Sequence, residues 1–539
     1  MLPVAKRGER DVIVIGAGHN GLVAACYLAR AGLRVLVLER RPVVGGACVT
    51  EEVFPGFKVS TAAYVQSLFR KEIVRDLRLR EYGFEVLARN PSSFTPLPDG
   101  RSLTLGPDPE WTRREIAKFS VRDAARYPEY EAMLEGVAAF IEPTLDMTPP
   151  DLMRPGLRGL RDLLGLGRSF ARLGDAASDA VELLTGPARA ILDRWFESPE
   201  LKATLATDAI IGAMASPSTP GTGYVLFHHV MGETDGRRGV WGYVRGGMGG
   251  LTQALARAAR DLGVEIRCEA EVTRILVRDG RVAGVALARG EEIRAPVVAS
   301  NADAHVTFLR LLDRDTLPSA FRAAVERISY ESASVKINVA LAELPDFTAC
   351  PGGAPGPQHR GTIHICPDLD YIERAFDDAK YGRASARPVL ECTIPSVVDE
   401  TVAPRGRHLM SMFVQYAPYS LRGTTWEATR ESFADRCFAL LDEYAPNFSR
   451  SVLARQVLAP PDLERVFGLT GGNIFQGAMT PGQLFSLRPL PGWASYRTPV
   501  RGLYLCGAAA HPGGGVMGTP GHNAAREILR GRRRFRLTT

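Results

Sequence analysis

One segment restricts this chain more than any other: residues 11–39, DVIVIGAGHNGLVAACYLARAGLRVLVLE. The apolar run Val12 to Ile15 predicts a buried β-strand. It leads into Gly16-x-Gly18-x-x-Gly21, and a helical pattern follows in which Ala25 and Leu28 stand three apart. Gly32 ends that helix, and a second strand, Val35 to Leu38, runs up to Glu39. Strand, glycine turn, helix, strand and acid together make a β-α-β dinucleotide fingerprint. The glycines permit a tight turn, close approach of backbone to a pyrophosphate, and close helix–strand packing. The helix start offers free N–H groups and the positive end of a dipole to phosphate. Glu39 stands where ribose hydroxyls can donate to it.

At 539 residues the chain has room for two or more domains, and 45% hydrophobic with 23% charged residues is an ordinary globular balance. A net charge of +6 is small for this length and makes no case for a nucleic-acid partner, although it suits an anionic membrane surface. The eight cysteines include no C-x-x-C or other metal-like spacing, so they read as reduced thiols and no metal site is expected. Met1 to Arg10 is short and polar, unlike a signal peptide. No apolar run approaches the ~20 residues of a membrane span. Together these predict a cytoplasmic location.

Beyond Glu39 the pattern is discontinuous. Gly45-Gly46 follows the acid closely, and two helical stretches are predicted around residues 124–140 and 177–196. Gly246 to Gly250 precedes a helix from Leu251 to Asp261, then a strand, Val264 to Cys268. A hairpin at Val272–Ile275 and Arg281–Ala286 and a strand from Pro296 to Ala299 follow. Strands are predicted at Val335–Leu341, Val389–Ile394 and Leu409–Tyr416, with a helix at Glu431–Tyr444. The tail repeats the order of the opening segment, with a strand, Gly502–Cys506, a glycine-rich turn through Gly518, and a helix from Gly521 to Leu529. The fold class predicted is α/β with α+β inserts. A Rossmann-like cofactor domain is assembled from residues 1–65, 240–304 and 470–539. A substrate domain on a mixed or antiparallel sheet plus helices comes from 66–239 and 305–469, mainly helical near 110–235.

A nicotinamide enzyme usually completes its fold soon after the fingerprint. Here the supporting elements are scattered to the C-terminus, and Gly246–Gly250 lacks a third glycine and a following acid. FAD, closed over by the C-terminal glycine turn, fits better, with the last helix aimed at the reactive ring.

These motifs resemble the phytoene dehydrogenase-related flavoproteins of the FAD-dependent amine oxidase superfamily. The resemblance covers nearly the whole chain. It rests on the fingerprint with Gly45-Gly46, on Gly246-Gly247-Met248-Gly249 to Ser300-Asn301-Ala302-Asp303, and on Leu503 to Gly521. Gly471-Gly472-Asn473-Ile474-Phe475 and His511 to Gly518 resemble one subgroup, named pyridine nucleotide-disulfide oxidoreductase domain-containing protein 2. The resemblance implies that Gly16, Gly18 and Gly21, with His19 and Asn20 at the helix start, hold the FAD pyrophosphate, and Glu39 the adenosine ribose. Arg40, Gly45, Gly46 and Ala47 would line the same cofactor, and Val272 would meet adenine through its backbone. Gly507 and Ala508 would meet the pyrophosphate–ribityl region, and Val516 and Met517 the flavin edge. Neither a redox cysteine pair nor a nicotinamide domain is visible to match the words in the subgroup's name.

The family implies dehydrogenation, saturation or isomerisation of a hydrophobic, isoprenoid- or lipid-like small molecule by hydride transfer to flavin N5. The alternatives are an amine oxidase of the same fold, or a flavin-binding interaction protein without turnover. Such chemistry needs few acid–base side chains, and catalytic candidates are confined to His511, Tyr64, His228 and Arg245. Each has a plain structural reading beside the functional one, as a hydrogen-bonded loop or core residue. In residues 153–173, Arg154, Arg158, Arg161, Arg168 and Arg172 recur on one helical face and Leu157, Leu160 and Leu164 on another. That pattern predicts either a peripheral membrane contact or a surface helix packed on the substrate domain.

Overall fold

Four consecutive apolar residues bounded by a turn suit the middle of a parallel sheet covered on both faces. Val12–Ile15 forms such a strand, β1, and all four residues are buried. The computed structural model describes residues 10–234 and 236–536. Helix α1 spans His19–Arg30, and strand β2 is Val35–Leu38. β1 pairs in parallel with β2 on one side and with Val298–Ser300 on the other. Glu265–Arg267 adds beyond β2, and Leu503–Leu505 adds beyond Val298–Ser300, completing a five-stranded parallel sheet. Its strands therefore come from the beginning, the middle and the end of the chain.

Two close approaches show why glycine is needed on α1 and on the helix that covers it. A Cβ on Gly21 would stand 2.2 Å from the Gly16 carbonyl oxygen. One on Gly521, in the last helix, Thr519–Arg536, would stand 2.0 Å from the Asn20 carbonyl oxygen. The last helix thus lies directly on α1, where Tyr27 and His522 also meet at 4.6 Å. The helix Gly249–Asp261 packs on α1 as well, with Leu251, Leu255 and Ala258 buried.

The second sheet has seven strands and is mixed. Its order is Val452–Leu458, Ser334–Leu341, His408–Gln415, Val389–Thr393, Thr362–Ile365, Ser93–Pro96 and Ser102–Leu105. Every pairing is antiparallel except Thr362–Ile365 with Ser93–Pro96. It draws on both stretches that separate the pieces of the first sheet.

The helix expected across 177–196 is two helices, Ala176–Thr185 and Ala188–Trp195. Gly186 is extended and Pro187 follows, and a proline both disfavours helix at the preceding residue and lacks an N–H. The helix expected near 124–140 is longer, Val121–Leu145, because Ser120 caps it through the Asp123 N–H. Among the described residues no helix is long and apolar enough to cross a membrane.

The C-terminal glycine turn is held by a guanidinium. Arg488 is 2% exposed. Its Nε donates to the Ala508 carbonyl at 2.9 Å, and its Nη2 donates to the Phe475 carbonyl at 2.7 Å. Its Nη1 reaches the carbonyls of Ala478 and Gln483 at 3.2 and 3.1 Å. One side chain therefore ties the 471–478 segment to the turn after Leu503–Leu505.

Gly21→Val forces a side chain into the Gly16 carbonyl, and overpacking of this kind costs ~1–3 kcal/mol. A lowered melting temperature is expected, and an unchanged one would show that helix and strand can part without loss. Arg488→Met leaves several buried carbonyls unpaired at about 1–3 kcal/mol each. Its melting temperature should fall further than that of Arg245→Met, a change to an exposed residue. Equal effects of the two would contradict the role given to Arg488.

Candidate functional site

β1 hands over to α1 through Gly16 to Gly18. No side chain caps α1, and its first turn carries no acid. Its first N–H groups are therefore left for a ligand, at the positive end of the helix. Glu39 is buried at the end of β2, where it accepts from the N–H of Ala17 at 2.8 Å and of Arg41 at 3.0 Å. The Gly45 N–H donates to the Ala17 carbonyl at 2.9 Å, which seats the second glycine pair against the first turn. Asn301, just past the neighbouring parallel strand, completes the crest, its Nδ2 3.5 Å from the Gly16 carbonyl. The buried Asn20 Oδ1 has no partner among the described residues. Open helix amides, a buried acid at the next strand end and a leftover side-chain acceptor suit the pyrophosphate–ribose part of a dinucleotide.

This crest opens into a cavity of about 1340 Å³. Of the residues expected at the cofactor, Gly16, Gly18, His19, Asn20, Glu39, Arg40, Gly46, Ala47, Val272, Ala508 and Val516 line it. Gly21, Gly45, Gly507 and Met517 stand behind the wall. Gly21 and Gly45 make the packing contacts described above. Gly507 lies against Asn301, and the Met517 carbonyl accepts from the Arg70 N–H at 3.1 Å.

Of the four catalytic candidates, Tyr64 and His228 line the cavity. His228 lies on the helix Thr222–Val230 against the Gly514 backbone, and burial pushes its pKa down to about 3. His511 and Arg245 do not face the cavity. The His511 ring is buried, with Nε2 2.8 Å from the Thr144 carbonyl and Phe485 packed edge-on against it. It ties the C-terminal turn to the long helix Val121–Leu145. Arg245 is an exposed partner of Glu85 at 2.6 Å. The run Gly246–Gly250 offers no second phosphate loop, because protein acceptors already take its amides. The N–H groups of Gly246, Met248 and Gly249 go to Asp399 Oδ2, Ser60 Oγ and Thr50 Oγ1. Cys48 lines the cavity beside His19, while Cys506 does not; all eight cysteines are free thiols.

The cavity also holds ionisable groups that no motif marks. Lys336 sits in Ser334–Leu341, a strand buried along its whole length. It donates to Asn338 Oδ1 and to Ser411 Oγ, and its Nζ lies 5.3 Å from the Tyr64 ring centre. Burial pushes its pKa down to about 7. Glu391, on Val389–Thr393, accepts a hydrogen bond from Tyr64 Oη at 2.5 Å. Burial pushes its pKa up to about 6, and that of Asp208 up to about 7. Arg89 and His364 complete the group. A signal exists in the sequence: Lys336 is the one charged residue in Ser334–Leu341, and Glu391 the one in Val389–Thr393. A charge in the middle of an apolar strand that ends up buried is a site candidate in itself. Lys336 and Glu391, both shifted toward neutrality, can hold or move a proton beside the cavity.

Comparison with known proteins agrees with this geometry. Residues 21–345 match the family model described as flavin containing amine oxidoreductase. The chain is 49% identical, over 97% of its length and 94% of the relative's, to pyridine nucleotide-disulfide oxidoreductase domain-containing protein 2 of Rattus norvegicus. It is 28% identical to one of the subunits of limonene dehydrogenase from Castellaniella defragrans, over 96% of this chain and 94% of that one. A solved oxidoreductase from Methanosarcina mazei shares the fold, with a TM-score of 0.59 at 18% identity, over 96% of this chain and all of that one. The parallel sheet with its glycine crest, the mixed second sheet and these matches lead to one assignment: the chain belongs to the flavin-containing amine oxidoreductase family and is a flavin-dependent oxidoreductase.

Proposed function

We propose that the flavin is FAD and that the protein dehydrogenates a largely apolar, isoprenoid- or lipid-like substrate. The observation that carries this reading is the cavity of about 1340 Å³, which begins at a dinucleotide crest and continues between the two sheets. That volume exceeds the ~300–1,000 Å³ usual for one small ligand. It suits a dinucleotide with a second molecule beside it. Leu105, Leu134, Leu205, Leu226 and Phe413 supply apolar wall. The relative named for limonene, a hydrocarbon, supports the substrate class.

When bound, FAD supplies a hydride acceptor at N5, so that a substrate losing hydride and a proton from adjacent carbons gains a double bond. The protein's own share is orientation and dryness. The open amides of α1 and Glu39 orient the dinucleotide, and the apolar wall excludes water. Tyr64, Glu391 and Lys336 form the proton-holding group on the substrate side.

Purified protein should be yellow, and the released cofactor should run as FAD rather than FMN on chromatography. Anaerobic addition of an apolar isoprenoid such as phytoene or limonene should bleach the flavin. Colourless protein that takes up no FAD sinks the reading, and bleaching by putrescine alone replaces it with amine oxidation.

The supply of such a substrate points to a lipid surface. In the helix Gly156–Ala171 only Gly159 is buried. Leu157 is 91% exposed, and Leu160 and Leu164 are half exposed, so all three present apolar surface outward. Arg158, Arg161 and Arg168 alternate with them. The helix rests by Phe170 on Phe140 of the long helix, whose Leu134 reaches the cavity wall. Exposed leucines beside arginines suit the interface of an anionic bilayer. The protein should sediment with phosphatidylglycerol vesicles at low salt, and Leu157→Glu should weaken this about tenfold. Absence of sedimentation in the wild type would remove the membrane from this reading.

A further inference from the structure

A hydrocarbon alone leaves one part of the cavity wall unexplained. Arg89 lines the cavity and is 4% exposed. Guanidinium stays charged in a protein, and a buried charge is ordinarily paired. Arg89 is not. Among the described residues no carboxylate lies within the 4.0 Å of an ion pair with it. Its partners are neutral: Nη1 donates to Thr362 Oγ1, and the Tyr243 ring and hydroxyl lie alongside. Its enclosed Nε has no partner among the described residues.

The surroundings repeat the pattern. His364 lies two residues beyond Thr362 on the same strand, is 5% exposed and lines the same cavity. Its Nδ1 has no partner either. Burial, with the Arg89 charge beside it, pushes its pKa down to about 3, so the ring is neutral at pH 7. A neutral imidazole offers one N–H without adding charge. A guanidinium that no carboxylate contacts and a neutral imidazole share one cavity wall, and an anion seated there would balance the charge.

We propose that Arg89, assisted by His364, anchors a carboxylate head group on an otherwise apolar substrate. This deepens the reading under Proposed function and rests on it: the substrate is an acid with a lipid- or isoprenoid-like body, held by its head while the body lies along the leucine wall. Guanidinium and carboxylate make the charge-assisted hydrogen bonds that a buried site uses for orientation. Asp208 and Glu391 line the cavity too. Glu391 is engaged by Tyr64; burial raises the pKa of Glu391 to about 6 and that of Asp208 to about 7, and the Arg89 charge pulls each back down, so both feel Arg89 from beyond contact distance. Neither neutralises Arg89 by contact.

The test compares three probes of equal chain length by titration calorimetry on the full-length protein as purified: decanoate, decanol and decylamine. Wild-type protein should bind decanoate at least tenfold more tightly than decanol. Arg89→Met should abolish that preference while leaving decanol affinity unchanged, and Arg89→Lys should keep part of it. Three results overturn the proposal: no preference for decanoate in the wild type, a preference that survives Arg89→Met, or decylamine binding most tightly. Should Arg89→Met fail to fold, the wild-type comparison and Arg89→Lys still decide. The readout is heat of binding and does not require flavin. A protein that takes up no FAD therefore refutes the redox reading separately, and the head-group result stands or falls by itself.

Discussion

Everything at the site depends on the parallel hydrogen bonding of β1 with two neighbours, one of them remote in sequence. Ile13 stands opposite Leu36 on one side and Val298 on the other, and Val298 stands opposite Leu503. Because the strands are parallel, their C-terminal ends lie on one edge. The glycine turn after Ile15, the acid after Leu38, Asn301 after Ser300 and the turn after Leu505 therefore share one crest. Ligands of open α/β sheets bind at such an edge, where the backbone leaves its ladder and has groups to spare. Without that register the glycines would be ordinary turns.

The second sheet works by contrast. Its strands are apolar almost throughout, yet Lys336, Glu391 and His364 project from them into the cavity. Isolated buried charge is costly, and burial of paired charge seldom repays itself in stability. Stability does not explain these residues, whereas placing polar groups at defined points of a cavity wall does. The wall is accordingly two-sided in character, with leucines and aromatics along the body and a few ionisable groups at defined points. That is the usual composition of a small-molecule site, in which polar groups fix orientation and apolar ones supply contact.

Much of this is legible from residue pattern. β1 and β2 lie where the apolar runs put them, because a buried parallel strand leaves a continuous apolar signature. The long strands of the second sheet fall within a residue of expectation at 334–341, 389–393 and 408–415 for the same reason. Ser93–Pro96, Ser102–Leu105 and Thr362–Ile365 carry no comparable signature. They are only four residues long, and the pairing of Thr362–Ile365 with Ser93–Pro96 joins segments remote in sequence. The break at Gly186-Pro187 is written in the sequence, but the helical periodicity on either side of it masks it. His511 and Arg245 show a different limit. A motif locates a backbone segment, but it does not say whether a side chain turns toward the ligand or away from it. That is decided by distant partners such as the Thr144 carbonyl and Glu85. Arg89 and Asp208 stand in no motif, and their importance arises only from what surrounds them.

The contact of the last helix with α1 has a consequence for how the protein is made. The β-α-β unit leaves the ribosome long before the helix that covers one face of α1, which begins at Thr519. At ~5–20 residues per second, the roughly five hundred intervening residues take about 25–100 s to synthesise. Throughout that interval the nascent chain carries an apolar helix face and an incomplete sheet edge. The face of the first helix that Gly521 meets is therefore covered only once the tail has been made.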